Sequence, residues 1–225
     1  MPPQIIPLES PLKGVALWRV ELDSIDLAEA RSALSPDEWQ RTLRFAFDIH
    51  RNRFAAARFA LRRVIGESLG CAPDALRISV GPHGKPYLPA ATHCHFNVSH
   101  SDGVGLIALS RSGPVGVDIE IVNEVRDLST VSPGFMSPSE LALWKSLCAT
   151  DREQAFYLCW TRKEAVLKAS GLGLHHDPCT VHVGLADSDV STTIECEGTS
   201  ATFRVRTLEA GRARYVAVAS QALET

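Results

Sequence analysis

The sequence lacks three features that would place it in a specialised class. Its six cysteines form no Cys-x-x-Cys pair, so in a chain of 225 residues we expect reduced thiols rather than a disulfide framework. No apolar run approaches the roughly 18 residues that a membrane-spanning helix needs. The first residues have neither a basic region nor an apolar stretch, so no signal peptide is predicted. These absences predict a cytoplasmic protein with no membrane partner.

An excess of basic residues is also absent. The formal net charge is −3, with 23 Lys and Arg against 26 Asp and Glu. A nucleic-acid-binding protein usually needs a basic surface, so no nucleic-acid partner is expected, and an anionic ligand must be met by local basic residues. Hydrophobic residues make up 45 % and charged residues 22 %, which is typical of a globular protein that can bury a core.

The spacing of apolar residues predicts helices mixed with strands. Long helices are expected near residues 51–69 and 152–170, because apolar residues recur there on one helical face and glycines follow. Ser-Pro-x-Glu segments at 35–38 and 137–140 predict capped helix starts. Alternation predicts strands at 14–22, 76–80, 95–99, 104–109, 114–121, 179–185, 192–197, 201–208 and 215–220.

Part of the sequence recurs at a fixed spacing. Identical residues stand 102 positions after each of Ser35, Pro36, Glu38, Phe54 and Val64. We therefore predict an α+β fold made by a pseudo-twofold duplication of two lobes, each with a long helix packed on a small, mainly antiparallel sheet. The lobes are expected to span residues 1–112 and 113–225, with the active site at their interface.

Two carboxylates stand two residues apart in the predicted strand 114–121. Asp118 and Glu120 project from one face of that strand, while Val117 and Ile119 project from the other. Adjacent carboxylates repel each other unless a cation or strong donors lie between them. A solvated strand face has the same pattern, so the residues near this pair must decide between the two interpretations.

A second cluster lies in the predicted helix 152–170. Trp160, Glu164 and Lys168 are successive i,i+4 neighbours and therefore share one stripe. A surface Glu–Lys pair that stabilises a helix has the same spacing. Because the stripe begins with a tryptophan, which is usually buried, we expect it to face a cleft rather than open water.

Two further segments carry groups that suit phosphate oxygens. After a predicted strand, the segment Ser99-His100-Ser101 offers hydroxyls, an imidazole and backbone N–H groups. Ser99 and His100 point to opposite faces of a strand, which argues against a serine hydrolase. The turn Gly84-Lys85-Pro86 would present a lysine at a fixed place, although a plain hairpin turn also explains it.

A hard cation suits these residues better than a transition metal. Neither His93-Cys94-His95 nor His175-His176 has further ligands at a zinc-like spacing, so neither is predicted as a metal site. Three carboxylates beside phosphate-binding groups instead favour Mg²⁺, which binds a few carboxylates together with substrate oxygens.

These segments, in this order, resemble the 4′-phosphopantetheinyl transferases, in particular the larger two-lobed type that activates peptide and polyketide synthases. The matching pieces are Gly84-Lys85-Pro86, Phe96-Asn97-Val98-Ser99-His100-Ser101, Gly116-Val117-Asp118-Ile119-Glu120 and Trp160-Thr161-Arg162-Lys163-Glu164-Ala165-Val166-Leu167-Lys168. The resemblance implies transfer of the phosphopantetheine arm of coenzyme A to a serine of an apo carrier protein. The second product would be adenosine 3′,5′-bisphosphate.

The same resemblance implies a role for each site residue. The Mg²⁺ ligands would be Asp118, Glu120 and Glu164. Coenzyme A would be bound by Arg53, Lys85, Pro86, Ser99, His100 and Lys168. Of these residues, Glu164 is the candidate acceptor of the serine proton, and Lys168 is the candidate for stabilising the departing phosphate.

Two parts of the resemblance are loose. Some family members have a basic residue just after the Ser-Pro-x-Glu turn that reaches the 3′-phosphate, whereas this segment is acidic, and Arg41 or Arg44 is the candidate here. The carrier could dock on exposed apolar residues of the segment that holds Val125, Leu128 and Val131. An ordinary packed loop explains that segment equally well.

Other functions also fit parts of the pattern. A Mg²⁺-dependent phosphohydrolase of a coenzyme A-like nucleotide would use water in place of the carrier serine. A non-catalytic protein that binds coenzyme A or a carrier would need no complete set of carboxylates and lysine. The sequence leaves peptide, polyketide and fatty-acid carriers open, and two fused lobes make a monomer sufficient.

Overall fold

Helices and antiparallel strands alternate in the computed structural model, which describes residues 2–122, 127–186, 188–196, 199–211 and 214–222. The helices are α1 (Leu27–Ala33), α2 (Pro36–Leu43), α3 (Asp48–Leu69), α4 (Leu128–Val131), α5 (Pro138–Ser146) and α6 (Ala149–Ser170). The strands are β1 (Ile5–Leu8), β2 (Val15–Glu21), β3 (Ser79–Val80), β4 (Pro86–Tyr87), β5 (His95–Ser101), β6 (Val104–Ser110), β7 (Val115–Ile121), β8 (Val190–Cys196), β9 (Thr199–Glu209) and β10 (Arg214–Gln221).

Most strands belong to two four-stranded antiparallel sheets, one in each half of the chain. The first sheet has the order β1-β2-β6-β5, and the second has the order β7-β10-β9-β8. Strands β3 and β4 form a separate short hairpin. Strands β5 and β7 lie at an edge of their own sheets, and these two edges meet where the halves join.

Three hydrophobic clusters hold these layers together. Helix α3 packs on the first sheet through residues such as Leu61 and Ile65, and α6 packs on the second sheet through residues such as Val166. A third cluster lies between the sheets and includes Leu17 of β2 and Val117 of β7. Because this cluster draws residues from both halves, neither half would keep its apolar surface covered alone.

The duplication is visible in matching local structures. Ser35 and Ser137 each cap a helix in a reciprocal capping box, with Glu38 and Glu140 as the returning acids. The long helices α3 and α6 both have 22 residues, and each ends at a left-handed glycine. The prediction of an α+β fold with two repeated helix-and-sheet halves is therefore confirmed.

The strand predicted at 179–185 is wrong. A 3₁₀ turn occupies Pro178–Thr180, and the described residues 181–186 contain no strand. Buried Val181 and Val183 give the alternating pattern, but side chains rather than a neighbouring strand bind the backbone. Glu140 accepts hydrogen bonds from the N–H groups of Val183 and Gly184, at 2.9 and 3.2 Å. Alternation alone could not reveal these long-range partners.

Other boundaries differ from the prediction. The strand expected at 76–80 is limited to Ser79–Val80, and before it Arg62 donates a hydrogen bond to the carbonyl of Leu76 at 3.1 Å. Strand β1 and helix α1 were not predicted, since both are short and lack clear periodicity. Among the described helices, none combines the length and the apolar character needed to cross a membrane.

Candidate active site

The candidate site lies where β5 meets β7. Alternate residues of β5 lie on one face of the strand. Their side chains, rather than a backbone ladder, make the hydrogen bonds to β7. Asn97 Oδ1 accepts from Val117 N at 3.0 Å, and Ser101 Oγ accepts from Ile121 N at 3.1 Å. Between these two bonds, Ser99 Oγ donates to the Asp118 carboxylate at 2.9 Å. These three hydrogen bonds form the β5–β7 seam, which fixes the register of β7 against the other half of the molecule.

Asp118 is the buried acid of this seam. Only 3 % of its surface is exposed, and its Oδ1 receives Lys168 Nζ at 2.5 Å. Within the described part of the chain, its Oδ2 is buried and has no hydrogen-bond partner. Burial raises the pKa of the Asp118 carboxyl, although Lys168 and the Ser99 hydroxyl oppose that rise. A buried acceptor left open in this way is suited to a ligand.

Glu164 and Lys168 reach the seam from α6, where their i,i+4 spacing predicted a shared stripe. Burial raises the pKa of Glu164; Lys168 opposes that effect, and the negative charges of Asp118 and Glu120 add to it. The three carboxylates therefore share one small region and repel each other there. Lys168 Nζ also lies 3.1 Å from Ser99 Oγ, so it bridges two residues of the seam.

Glu120 is held by Trp160, which lies on the same stripe of α6 as Glu164 and Lys168. The indole N–H donates to Glu120 Oε1 at 3.0 Å, and the Trp160 ring packs edge-on against Phe135 with 5.0 Å between centroids. The sequence predicted that Trp160 would direct its helix stripe into a cleft, but it gave no sign of this hydrogen bond. The aromatic packing fixes the indole, and the indole fixes the carboxylate.

A glycine lets β7 approach the helix closely enough to build the site. A Cβ atom on Gly116 would collide with the Ala165 carbonyl of α6 and would lie 2.5 Å from Ala169 N. Both obstacles are helix backbone, which cannot rotate aside. Gly116 therefore sets the spacing between the strand that carries Asp118 and the helix that carries Lys168.

The donor set suits a hard cation. Among the described residues, no group of three His, Cys, Asp or Glu side chains is already arranged around a metal position. Lys168 occupies one oxygen of Asp118, and Trp160 occupies one oxygen of Glu120. The unpartnered Asp118 Oδ2 is an open oxygen ligand, and the charges of Asp118 and Glu120 add to the effect of burial on the pKa of Glu164. A bound Mg²⁺ would reduce the repulsion among these three carboxylates.

Arg53 and His100 flank the seam at the β5–β6 turn. The Arg53 guanidinium pairs with Asp23 at 2.6 Å and lies 3.7 Å from Asp102, and the hydrogen bond to Asp23 raises its pKa. His100 keeps an exposed surface, but partial burial and then the cations of Lys168 and Arg53 lower the pKa of its imidazole. The lowered pKa favours the neutral imidazole, which can donate or accept a hydrogen bond.

A cleft of about 420 Å³ opens beside β5. Its lining includes Arg41, Phe54, Arg58, Gly84, Pro86 and Asn97. The Arg41 guanidinium lies over the Phe54 ring, 5.1 Å from its centroid, while Arg44 is not part of the lining. The structure thus brings Pro86 and Arg41 to one cleft. Lys85 points elsewhere, with its Nζ at the carbonyls of Ala169 (2.7 Å) and Val115 (3.3 Å).

The acid at position 38, unexpected in a phosphate site, has an internal role. Glu38 accepts hydrogen bonds from Arg58 and from Arg62, the latter at 2.5 Å, and it closes the capping box with Ser35. The nearby arginines hold the pKa of Glu38 below its usual value against the opposing effect of burial. Sequence reasoning missed this network because its partners are 20 and 24 residues apart.

Comparison with known proteins assigns both halves to one family. Residues 18–112 match the family model described as "4′-phosphopantetheinyl transferase, N-terminal". Residues 114–219 match the model described as "4′-phosphopantetheinyl transferase superfamily". The matched segments together run from β2 to the end region of β10 and include every residue of the candidate site.

Individual relatives agree with this assignment. The chain is 37 % identical over 165 residues to the 4′-phosphopantetheinyl transferase HetI of Nostoc sp., covering 71 % of this chain and 70 % of the relative. It is 33 % identical to the L-aminoadipate-semialdehyde dehydrogenase-phosphopantetheinyl transferase of Schizosaccharomyces pombe, covering 67 % and 64 %. Identity to the transferase Sfp of Bacillus subtilis is 30 %, covering 64 % and 62 %. The chain therefore belongs to the 4′-phosphopantetheinyl transferase superfamily.

Proposed function

We propose that this chain transfers the 4′-phosphopantetheine arm of coenzyme A to a serine of an apo acyl or peptidyl carrier protein. The observation that carries the proposal is the buried Asp118 carboxylate, which has one oxygen paired with Lys168 and the other unpartnered among the described residues. In the reaction, the serine oxygen forms a bond to the phosphorus that carries the pantetheine arm. The pyrophosphate P–O bond breaks, and adenosine 3′,5′-bisphosphate leaves.

Asp118, Glu120 and Glu164 are the residues that would hold Mg²⁺. The ion would neutralise charge on the pyrophosphate and on the departing bisphosphate, which is the main requirement of phosphoryl transfer. Ser99 and Asn97 serve this site by fixing β7, and Trp160 serves it by orienting Glu120.

Glu164 is our candidate for accepting the serine proton. A general base works best when its pKa is near the operating pH. Burial and then the charges of Asp118 and Glu120 raise the pKa of Glu164 against the effect of Lys168, and a bound Mg²⁺ would lower it again, so this role is assigned from the family resemblance. Lys168, whose side chain is 26 % exposed, can turn its ammonium toward the departing phosphate without unfolding the helix.

The remaining basic groups would bind coenzyme A. Arg53 and His100 flank the pyrophosphate position beside Lys168, and Pro86 forms part of the cleft wall. We assign the 3′-phosphate to Arg41 rather than Arg44, because the Arg41 side chain is the one that lines the cleft.

The carrier would dock beside the seam, on the segment that follows β7. Val131 is 44 % exposed, and Leu128 is partly buried at the start of α4. Val125, the third residue predicted for this surface, lies outside the described residues. An exposed valine on the segment that follows β7 suits the apolar face of a carrier helix.

Mass spectrometry of the carrier tests the proposal. The protein is incubated with coenzyme A, Mg²⁺ and apo carriers from peptide, polyketide and fatty-acid synthases. A mass gain equal to phosphopantetheine on the carrier serine is expected. Release of adenosine bisphosphate without any carrier would instead identify a phosphohydrolase, and coenzyme A binding without turnover on every carrier would identify a binding protein.

A further inference from the structure

The β3–β4 hairpin crosses from one half of the molecule to the other. Its turn is closed by Gly81 N donating to Lys85 O at 2.9 Å and by Gly84 N donating to Gly81 O at 3.0 Å. Gly84 has a φ of +85°, which favours glycine. The tight turn therefore delivers Lys85 in one direction and leaves little freedom to its backbone.

The Lys85 side chain reaches the C-terminal end of α6 instead of the cleft. Its Nζ donates to Ala169 O at 2.7 Å and to Val115 O at 3.3 Å. Ala169 is in the last turn of α6, where carbonyls have no partner within the helix and the helix dipole favours a cation. Val115 is the first residue of β7. One ammonium thus joins the elements that carry Lys168 and Asp118.

The hairpin makes a second contact with the same region. The His83 ring packs against the His175 ring beyond the end of α6, with 4.8 Å between centroids. Gly171, the C-cap of α6, faces the Lys85 side chain so closely that an added Cβ would lie 3.4 Å from Lys85 Cδ. On its other side, the hairpin offers Gly84 and Pro86 to the cleft wall.

We propose that Lys85 is a positioning residue, which holds the last turn of α6 and the start of β7 so that Lys168 and Asp118 stay aligned. The inference rests on the proposed function and departs from the role in coenzyme A binding that the family resemblance implies for this lysine. Both hydrogen bonds of Lys85 Nζ go to backbone carbonyls, so the lysine acts on structure rather than on a charged side chain.

Steady-state kinetics of Lys85→Met and Lys85→Arg test the proposal. Methionine keeps the apolar stem and removes the ammonium, so kcat should fall by about 10- to 100-fold, while KM for coenzyme A stays within about twofold. Arginine should restore most of kcat, because it can still donate to both carbonyls. A raised KM with normal kcat, together with weaker coenzyme A binding by calorimetry, would show a direct phosphate contact and overturn the proposal.

Hydrogen exchange separates this inference from the proposed function, because it needs no activity. The Gly171 amide donates to Leu167 O at 3.2 Å at the end of α6. In Lys85→Met its exchange should accelerate, while amides in the middle of α6 keep the wild-type rate. Unchanged exchange at Gly171 would overturn the positioning role even if the wild-type protein modifies no carrier.

Discussion

Lys168 Nζ lies 2.5 Å from Asp118 Oδ1, and this contact joins the last turns of α6 to the strand beneath it. The pair is not a closed salt bridge, because Asp118 Oδ2 has no partner among the described residues. Buried ion pairs are rarely retained for stability alone. An open carboxylate oxygen beside a partly exposed ammonium is instead the arrangement that a charged substrate would complete.

Removal of either central carboxylate should nearly abolish transfer. Asp118→Ala and Glu164→Ala should each lower kcat/KM by at least about 100-fold, because each variant loses a ligand of the Mg²⁺ that would neutralise the departing phosphate. Circular dichroism should show a folded protein in both cases. Glu195→Ala, on the exposed side of β8, is the control and should keep normal activity. Near-normal transfer by either site variant would contradict the metal assignment.

His100→Ala should act mainly on substrate binding. The neutral imidazole can contact phosphate oxygens but has no role in bond breaking here, so KM for coenzyme A should rise by about tenfold with little change in kcat. Exposed His93 provides the matched control, and His93→Ala should leave both constants unchanged. A loss confined to kcat would mean that His100 takes part in the chemistry.

Gly116→Ala should damage both stability and activity. The added methyl group meets helix backbone, so β7 must move away from α6, at a cost of about 2 kcal/mol or more in the free energy of unfolding. Gly134→Ala is the control, since its Cβ would meet nothing within 4 Å. Urea unfolding of both variants, with transfer assays beside it, checks the prediction. Equal stabilities would refute the close approach of strand and helix.

Glu140→Gln should be far more harmful than a similar change at the surface. Glu140 pairs with Lys163 at 2.7 Å, and the lysine side chain is only 1 % exposed. Loss of the acid leaves the buried Lys163 ammonium without its counter-charge, which should lower the free energy of unfolding by about 3 kcal/mol. Glu67→Gln removes an exposed i,i+4 pair with Arg63 and should cost about 0.5 kcal/mol or less. The difference is measured by chemical denaturation, and similar losses in both variants would be inconsistent with the buried pair.

Stability should depend on pH through Lys85. Burial lowers the pKa of Lys85 to about 8, from an ordinary value of 10.5. Between about pH 8 and pH 10.5 the unfolded chain binds a proton that the folded protein has released, so the free-energy cost of burying this lysine falls as the pH rises. The free energy of unfolding of wild type minus that of Lys85→Met should therefore increase across that window. A flat difference would mean that Lys85 keeps its ordinary pKa.

Local patterns predicted the parts of the site that lie within one element. The i,i+2 pair of β7 and the i,i+4 stripe of α6 follow directly from strand and helix geometry. The pairing of Glu38 with Arg62 and the hydrogen bond between Asn97 and Val117 could not be predicted, because they depend on how distant segments pack. The direction of the Lys85 side chain belongs to the same class. The division into lobes at residue 112 stays a prediction.

Strand β1 makes the two halves of the duplicated fold differ at the strand edge where the candidate site lies. In each half a strand precedes the capped helix and the long helix, so β2 corresponds to β7. One edge of β7 pairs with β10, and its other edge faces β5 at the candidate site. The equivalent edge of β2 is instead paired with β1, from Ile5–Val20 to Leu8–Leu17. The residues of β2 on the helix side, Ala16, Trp18 and Val20, include no acid. A fold built twice therefore offers one candidate site of this kind, and coenzyme A should bind with a stoichiometry of one per chain.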